Sequence, residues 1–246
     1  MIRALAVVVP ARDEERLIGG CLRAVHRAAR HPQLAGLAVT AVVVADTCAD
    51  GTETLARALG ARTVQVVGAG AGASRALGTA YALDLLRAET PGLSAEEVWL
   101  AHTDADTQVP PCWLAHQLRH AAAGFAGILG TVRVGDWSAH PPGTADRFLR
   151  QYTAYRAQGR EHPHVHGANL GLRADAYLAA DGFPPLAEGE DVALVAALER
   201  GGHRLLRSDA CPVLTSGRRD ARARGGFGDL LLTLEPGRIA PVLGRT

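Results

Sequence analysis

The feature that most constrains the fold is a repeated alternation of short apolar runs with longer segments of helical periodicity. Residues 5–9 form a β-branched run that stops at Pro10, and such runs are typical of strands buried on both faces of a parallel sheet. In the next segment, 14–30, apolar residues recur at three- and four-residue spacing, which predicts an amphipathic helix. The pair of elements repeats twice before a fourth apolar run at 98–102. This alternation predicts an α/β fold with an open, mostly parallel sheet and helices on both faces.

The pattern is less regular after residue 110. We predict a loop at 162–171 and a helix that opens at 188–191 and ends at 200. The other predicted elements are strands at 39–45, 62–67 and 127–134 and helices at 52–59, 74–87, 113–123 and 175–180. A chain of this length can bury the core of one large domain, and we expect a single domain over residues 1–246.

Composition excludes several classes of function. All 26 cationic residues are Arg, and a Walker-type phosphate loop needs a lysine, so P-loop NTPase chemistry is excluded. The net charge of +1 without basic blocks gives no support for a nucleic-acid partner. No stretch approaches a membrane span or the core of a signal peptide, so we expect a cytoplasmic protein. The four cysteines have no metal-ligand spacing and are predicted to be buried thiols in a reducing compartment.

Polar segments follow each of the four predicted parallel strands. They lie at 10–15, 46–52, 68–75 and 104–106. In open α/β sheets, ligands bind beyond the carboxyl ends of the strands. We therefore expect these four segments to meet along one edge of the sheet and to form a nucleotide site.

Asp104 and Asp106 stand two residues apart at the end of the fourth strand. If the chain stays extended, both side chains lie on the same face. Two carboxylates so close repel each other and favour a cation beside them. A hard divalent ion, Mg²⁺ or Mn²⁺, would suit these oxygen ligands and would bring diphosphate oxygens as further ligands. From the residues alone, a solvated turn remains an equal alternative.

Several short motifs occur in a characteristic order along the chain. They are VVVPARDEE at 7–15, VADTCADGT at 44–52, GASRALG at 72–78, HTDAD at 102–106, GANLGLR at 167–173, DGF at 181–183, ED at 190–191 and GHR at 202–204. In these motifs and their order the chain resembles the family 2 glycosyltransferases, which have the GT-A fold. The resemblance implies a nucleotide-sugar-binding half at 1–110 and an acceptor-binding half at 111–246, which ends in a mobile C-terminal tail.

The resemblance implies roles for residues on the donor side. Pro10, Ala11 and Glu14 would line the base and ribose of a nucleotide-sugar donor. Asp46 would accept a hydrogen bond from the base ring, and Arg75 would reach the nucleotide or its diphosphate. We therefore expect these five residues to share one cavity.

The resemblance also implies the metal ligands and the catalytic base. Asp104 would touch the ribose or the metal ion, and Asp106 would bind Mg²⁺ or Mn²⁺ directly. Asp191 would take the proton of an acceptor hydroxyl, which implies inversion of configuration, although a DxD motif is also compatible with retention. Glu190 and Asn169 would lie on the acceptor side. Without the resemblance, the Glu190–Asp191 pair is better explained as acidic residues that the helix dipole favours at a helix N-terminus.

Further side chains have two interpretations each. His164, His166 and His203 could supply a third metal ligand or serve as structural histidines. Arg218 and Arg219 could close over the diphosphate, or belong to a mobile Arg/Gly-rich tail at 218–226.

Some residues depart from the family pattern. Arg12, Ala45 and Cys48 replace an aromatic, an acidic residue and a serine that are common there, so we do not assume a uridine base. The chain shows no hydrophobic helices of the kind found in membrane-embedded members, which favours transfer of a single sugar. The acceptor is not identified by the sequence, and a homodimer is compatible with it.

Two other functions remain to be tested. The turn GAGAGA at 68–73 follows a strand and satisfies a dinucleotide-binding fingerprint, with Glu89 near the expected distance for a ribose-binding acid. That interpretation, an NAD(P)-binding oxidoreductase, leaves the acidic motifs unexplained. The second alternative is a non-catalytic protein that binds sugar nucleotides.

Overall fold

The computed structural model of the chain describes residues 1–186, 188–220 and 226–235, and within them seven strands form one sheet. The strands are β1 (Ala4–Ala11), β2 (Ala38–Asp46), β3 (Arg62–Val66), β4 (Val98–His102), β5 (Gly127–Val134), β6 (Leu170–Arg173) and β7 (Leu205–Thr215). Their order across the sheet is β3-β2-β1-β4-β6-β5-β7. Neighbouring strands are parallel except where β6 pairs with β4 and β5. The prediction of an open, mostly parallel sheet is confirmed.

Helices cover both faces of this sheet, as predicted. They are α1 (Glu15–Ala29), α2 (Thr52–Ala58), α3 (Gly70–Glu89), α4 (Trp113–Ala122), α5 (Thr144–Tyr152), α6 (Ala154–Ala157), α7 (Ala174–Ala179), α8 (Glu190–Arg200) and α9 (Phe227–Thr233). A short 3₁₀ turn, Gly167–Asn169, precedes β6. In the described part of the chain, no helix is both long and apolar enough to cross a membrane.

Strand β1 lies between two hydrophobic cores, one on each face of the sheet. Leu5, Val7 and Val9 belong to the core that contains residues of α1 and α4. Ala4, Ala6 and Val8 belong to the core on the other face, with residues of α3, α7 and α8. Because side chains alternate along a strand, a continuous apolar run serves both faces at once. Each fully buried aliphatic side chain of this kind contributes roughly 1.5–3 kcal/mol, and the two cores hold the strand ends in place.

Helix α3 packs directly against β1 and β2 at Gly78, which has no side chain. A Cβ atom at this position would lie 2.6 Å from Val8 Cγ1 and 2.7 Å from Val44 Cγ2. Any larger residue would push α3 away from β1 and β2. Arg75 stands about one turn before Gly78, so this close contact also determines how near Arg75 lies to the strand ends.

The second half contains elements that the sequence did not predict. Strand β6 begins inside the predicted loop at 162–171, and β7 and α5 have no predicted counterpart. Strand β6 has only four residues, and the sequence of β7 mixes apolar and charged residues without alternation, with half-buried and exposed positions in its first half. Helix α3 begins at Gly70 instead of residue 74. The first-half strands and helices otherwise agree with prediction to within one or two residues.

Candidate active site

A cavity of about 440 Å³ lies beyond the carboxyl ends of the parallel strands. Three of the four predicted segments contribute several residues each to its lining, within 10–14, 68–75 and 104–106, and the fourth contributes Asp46. Later residues complete it: Thr215, Ser216, Arg218, Phe227 and Gly228. The predicted donor-side residues Pro10, Ala11, Glu14, Asp46, Arg75 and Asp104 all line this cavity, together with Asp106.

The loop after β1 is held by the turn that precedes α2. The backbone N–H of Glu14 donates to Thr52 Oγ1 at 2.7 Å, and the N–H of Glu15 donates to Asp50 Oδ2 at 3.0 Å. Asp13 Oδ1 accepts a hydrogen bond from the N–H of Ala49, in the same turn, at 2.8 Å. These contacts fix Glu14, which is buried, at the edge of the cavity. Asp13, Cys48 and Asp50 lie close enough together to hold a metal ion. The two carboxylates, however, already accept hydrogen bonds that join the loop after β1 to the turn before α2.

Asp46 organises the glycine-rich turn. Its carboxylate accepts hydrogen bonds from the N–H groups of Ala69 and Gly70, at 3.1 and 2.8 Å, and from Thr47 Oγ1. Burial alone would raise the pKa of Asp46, but the hydrogen bonds from Gly70, Thr47 and Ala69 lower it below its usual range. Asp46 therefore stays ionised and supports the first turn of α3. The turn follows edge strand β3, and its N–H groups at Ala69 and Gly70 are directed at Asp46.

Asp104, Asp106 and Glu14 bring three carboxylates together at the cavity. Burial, followed by the negative charges of Asp104 and Glu14, raises the pKa of Asp106 to about 6, although Arg218 opposes this. The Arg218 guanidinium beside Asp106 therefore only partly offsets burial and the two neighbouring carboxylates. Clustered carboxylate oxygens are the ligands that Mg²⁺ and Mn²⁺ prefer. The residues present therefore fit a hard divalent cation.

Arg75 connects the two halves of the chain. Its Nη2 donates to Asp104 Oδ1 at 2.5 Å, and its Nη1 donates to Glu190 Oε1. The Arg75 side chain is 6% exposed and that of Glu190 is 8% exposed. Burial raises the pKa of Glu190. Arg75 lines the cavity as predicted, but its two terminal nitrogens are engaged by these carboxylates, and the ion pairs link the end of β4 to the start of α8.

Asp191 lies next to this ion-pair cluster. Its Oδ2 accepts a hydrogen bond from the N–H of Gly167 at 2.7 Å. A Cβ atom at Gly167 would lie 2.5 Å from Arg75 Cζ, so Gly167 fits between the guanidinium and the Asp191 carboxylate. Asp191 is not among the residues that line the donor cavity. It is joined to that cavity through Gly167, Arg75 and Glu190, on the side of the acceptor half.

Asn169, which is predicted to lie on the acceptor side, does not line the donor cavity. Its Nδ2 donates to the carbonyls of Thr131 and Cys211, and its Oδ1 accepts from Trp113 Nε1 at 2.8 Å. Both amide protons and the oxygen are thus engaged within the protein, and the residue is buried. The structure therefore favours a packing role, in which Asn169 ties β5 and β7 to α4.

The histidines considered as a third metal ligand lie away from the cavity lining. His164 contacts the carbonyl of Tyr152, and His166 Nε2 lies 2.9 Å from the Tyr152 hydroxyl. The same hydroxyl accepts the N–H of Val132 at 3.0 Å. Burial lowers the pKa of His166 to about 3, which keeps the ring neutral. These histidines have structural partners, and His203 follows the end of α8.

The expectation for the cysteines was only partly correct. Cys21 and Cys211 are buried, whereas Cys48 is half-buried and Cys112 is exposed. Cys112 precedes α4 directly, where the first turn begins at the protein surface.

Sequence reasoning missed Ser74 and Phe227. Ser74 lines the cavity, and its buried Oγ has no hydrogen-bond partner in the part of the chain that the structure describes. Its position directly before Arg75 in the GASRALG motif could have identified it. Phe227 lines the cavity from α9, and no local pattern indicates this. Of the predicted tail at 218–226, residues 221–225 lie outside the described residues, as do 236–246.

Comparisons with solved structures agree on the fold. A mannosyltransferase, PcManGT from Pyrobaculum calidifontis in complex with GDP-Man and Mn²⁺, is 18% identical, with a TM-score of 0.60 over 88% of this chain and 58% of that protein. S. aureus TarS 1-349 in complex with UDP-GlcNAc is 15% identical, with a TM-score of 0.59 over 92% of this chain and 62% of that protein. The chain thus spans less than two thirds of the length of these two proteins.

Glucosyl-3-phosphoglycerate synthase from Mycobacterium tuberculosis, in complex with Mn²⁺, UDP and phosphoglyceric acid, is 18% identical, with a TM-score of 0.56 over 94% of this chain and 77% of that protein. At these identities the similarity shows the fold, which is GT-A. No curated protein sequence matches the chain at a significant level. The family model described as glycosyl transferase family 2 matches residues 6–178, and the chain belongs to that family.

Proposed function

We propose that the chain transfers a sugar from a nucleotide-diphosphate-sugar donor to an acceptor hydroxyl, with Mg²⁺ or Mn²⁺ as cofactor. The observation that carries this proposal is the cavity at the strand ends, where Glu14, Asp104 and Asp106 converge in a chain of this family. Support comes from the related folds, since PcManGT was solved with GDP-Man and Mn²⁺ and TarS with UDP-GlcNAc.

The donor would lie along the cavity, with Pro10, Ala11 and Glu14 beside its base and ribose. Asp46 would contribute by holding the turn that forms one wall, and Ser74 offers a free hydroxyl there. We retain one domain over 1–246 with halves at 1–110 and 111–246. The cavity also draws residues 215–218 and 227–228 from the second half.

Asp104 and Asp106 would hold the divalent ion. Bound there, the ion would neutralise charge that develops on the departing nucleoside diphosphate. Arg75 would keep Asp104 oriented through their ion pair, because its guanidinium is itself fixed by Glu190.

Asp191 would act as the general base. Its carboxylate is oriented by the N–H of Gly167, and it would accept the proton of the acceptor hydroxyl as the hydroxyl oxygen attacks the anomeric carbon. Attack from the side opposite the diphosphate would invert the configuration at that carbon. Retention, measured by NMR of the product, would contradict this assignment.

Thermal stability in the presence of ligands tests donor binding. We expect UDP, GDP or dTDP, or one of their sugars, to stabilise the protein more strongly with Mn²⁺ than without it. A ligand at a hundred times its Kd should add about 2.7 kcal/mol. Stabilisation by NAD(P) alone would support the oxidoreductase alternative and contradict the proposal. Donor-dependent stabilisation without transfer or donor hydrolysis would favour the non-catalytic alternative.

The base is tested by Asp191→Asn. The amide oxygen can still accept the Gly167 N–H, so donor affinity should change little while kcat falls by about 10²–10⁴-fold. Glu199→Gln is the matched control, because Glu199 is an exposed carboxylate on the same helix whose partner is Arg207. We expect normal transfer from that control. Normal transfer by Asp191→Asn would remove Asp191 as the base.

A further inference from the structure

The cation side of the cavity already holds a positive charge from the chain itself. Arg218, just after β7, donates from Nη1 to Glu14 Oε2 at 2.8 Å and from Nη2 to Glu14 Oε1 at 2.5 Å. The same Nη2 lies 3.1 Å from Asp106 Oδ2. One guanidinium thus spans the carboxylate assigned to the ribose and the one assigned to the metal ion.

We propose that Arg218 is a resident counter-cation of Asp106, and that a divalent ion binds there only by displacing the Arg218 guanidinium. The inference rests on the proposed function, because it takes Asp106 as a metal ligand. Arg218 lies against Oδ2 of Asp106, and Oδ1 accepts from Thr107 Oγ1 at 3.3 Å, so both oxygens already have partners. A guanidinium and a divalent ion carry the same sign of charge. Their mutual repulsion at such distances makes the two states exclusive. Arg218 therefore sets how much cation the free protein binds.

The carboxylates around Arg218 would favour either a guanidinium or a divalent ion beside them. Burial alone would lower the pKa of Arg218, but the Glu14, Asp106 and Asp104 carboxylates raise it. The negative charges would attract a divalent ion more strongly than a single guanidinium, since the attraction scales with charge. The ion must nevertheless break the two hydrogen bonds to Glu14, and this cost lowers its apparent affinity.

The backbone that carries Arg218 is held from the side away from the cavity. The carbonyl of Gly217 lies 2.7 Å from His140 Nε2, and Arg219 Nη2 lies 3.0 Å from Glu235 Oε2. Glu235 in turn contacts His140. With its neighbours fixed in this way, the exchange requires only rotation of the Arg218 side chain, which is 27% exposed. The displaced guanidinium stays within reach of the cavity and could then pair with a diphosphate.

Isothermal titration of the full chain with Mn²⁺ alone tests the proposal. We expect Arg218→Gln to bind Mn²⁺ about tenfold more tightly than the unsubstituted protein, because the competing charge has been removed. Arg218→Met should behave in the same way, since it keeps the length of the side chain without its charge. Arg218→Lys keeps the charge and should stay close to the unsubstituted protein.

Arg207→Gln is the matched control, because it removes a partly exposed arginine of β7 that pairs with Glu199 and does not line the cavity. It should leave Mn²⁺ affinity unchanged, and Asp106→Asn should abolish binding. Equal or weaker Mn²⁺ binding by both Arg218→Gln and Arg218→Met, with loss in Asp106→Asn, would overturn this inference while leaving the proposed metal site intact. If no protein binds Mn²⁺, Arg218→Gln included, the metal site of the proposed function has failed and this inference with it.

Discussion

Two arginines neutralise the acidic groups of this site, and their surroundings differ. Arg75 belongs to helix α3, and its side chain is 6% exposed between Asp104 and Glu190. Arg218 follows a strand end, and its side chain is 27% exposed between Glu14 and Asp106. Each guanidinium contacts two carboxylates. Arg75 and its partner Glu190 are both buried, whereas Arg218 is partly exposed beside a buried Glu14. A buried charge left without its partner is costly, whereas a solvated one is not. The same pairing can therefore serve as a fixed link in one place and as an exchangeable contact in another.

The largest expected effect comes from removing the buried charge. Arg75→Gln leaves Glu190 buried without its counter-ion, and breaking such a pair costs roughly 3–5 kcal/mol of unfolding free energy. Because the pKa of Glu190 is already raised, protonation can relieve part of this cost, and we expect the lower end of that range. Arg218→Gln also leaves a buried carboxylate, Glu14, without its counter-ion, but the Arg218 side of this pair is partly exposed to water, so we expect a smaller loss of roughly 1–2 kcal/mol. Urea unfolding measures both, and equal losses would erase the distinction between the two arginines.

The double variant Arg75→Gln/Glu190→Gln serves as the control for that comparison. Removing both members of the pair leaves no uncompensated charge at Glu190, so part of the lost stability should return. Coupled residues in one ion-pair network typically show interaction energies of roughly 0.5–3 kcal/mol. Strictly additive losses would mean that the cost of Arg75→Gln arises from packing and not from charge.

An intermediate effect is expected from Gly167→Ala, which disturbs Arg75 without changing a charge. The added methyl group would lie 2.5 Å from Arg75 Cζ, and overpacking of this kind costs roughly 1–3 kcal/mol. The N–H of Gly167 also orients Asp191, so transfer should fall together with stability. Urea unfolding and a transfer assay measure the two losses. In an Arg75→Ala background the stability cost should shrink, and an undiminished cost would place the clash elsewhere.

Sequence reasoning located the donor edge because local patterns determine it. The runs at 5–9 and 98–102 are continuous and apolar, so each could be recognised as a strand buried on both faces. Polar residues such as Glu14 and Asp106 directly follow these strands, and parallel strand ends must meet at one edge. Neither step requires knowledge of distant contacts.

The rest of the site depends on contacts between distant parts of the chain. Arg218 pairs with Glu14, 204 residues earlier, and no spacing in the sequence reveals such a partner. Asn169 matches a family motif, yet its amide is used by Trp113 and two backbone carbonyls, which only the fold brings together. Strand β7 lies at the edge of the sheet and the first half of it is half-buried or exposed, so no continuous apolar run marks it as a strand. For these residues the local pattern is compatible with several structures.

Glu14→Gln is expected to have the smallest effect on stability. The direction of its effect on Mn²⁺ affinity sharpens the comparison between the two arginines. The substitution removes the buried carboxylate that holds Arg218 in two hydrogen bonds. The arginine left behind is partly exposed and still contacts Asp106, so we expect a loss of about 1 kcal/mol or less. Arg218 then has Asp106 as its remaining carboxylate partner, and the cavity has lost one negative charge. Both changes should weaken Mn²⁺ binding several-fold, which is opposite to the effect of Arg218→Gln.

Glu15→Gln is the matched control, since this neighbouring carboxylate is exposed and accepts from the N–H of Gly51 outside the cavity lining. Its Mn²⁺ titration should match that of the unsubstituted protein. Tighter Mn²⁺ binding by Glu14→Gln would mean that Glu14 acts mainly by clamping Arg218 in place, so that the guanidinium competes with the ion only while both carboxylates hold it. Weaker binding would mean that Glu14 attracts the ion directly, so that Arg218 masks a site built from all three carboxylates.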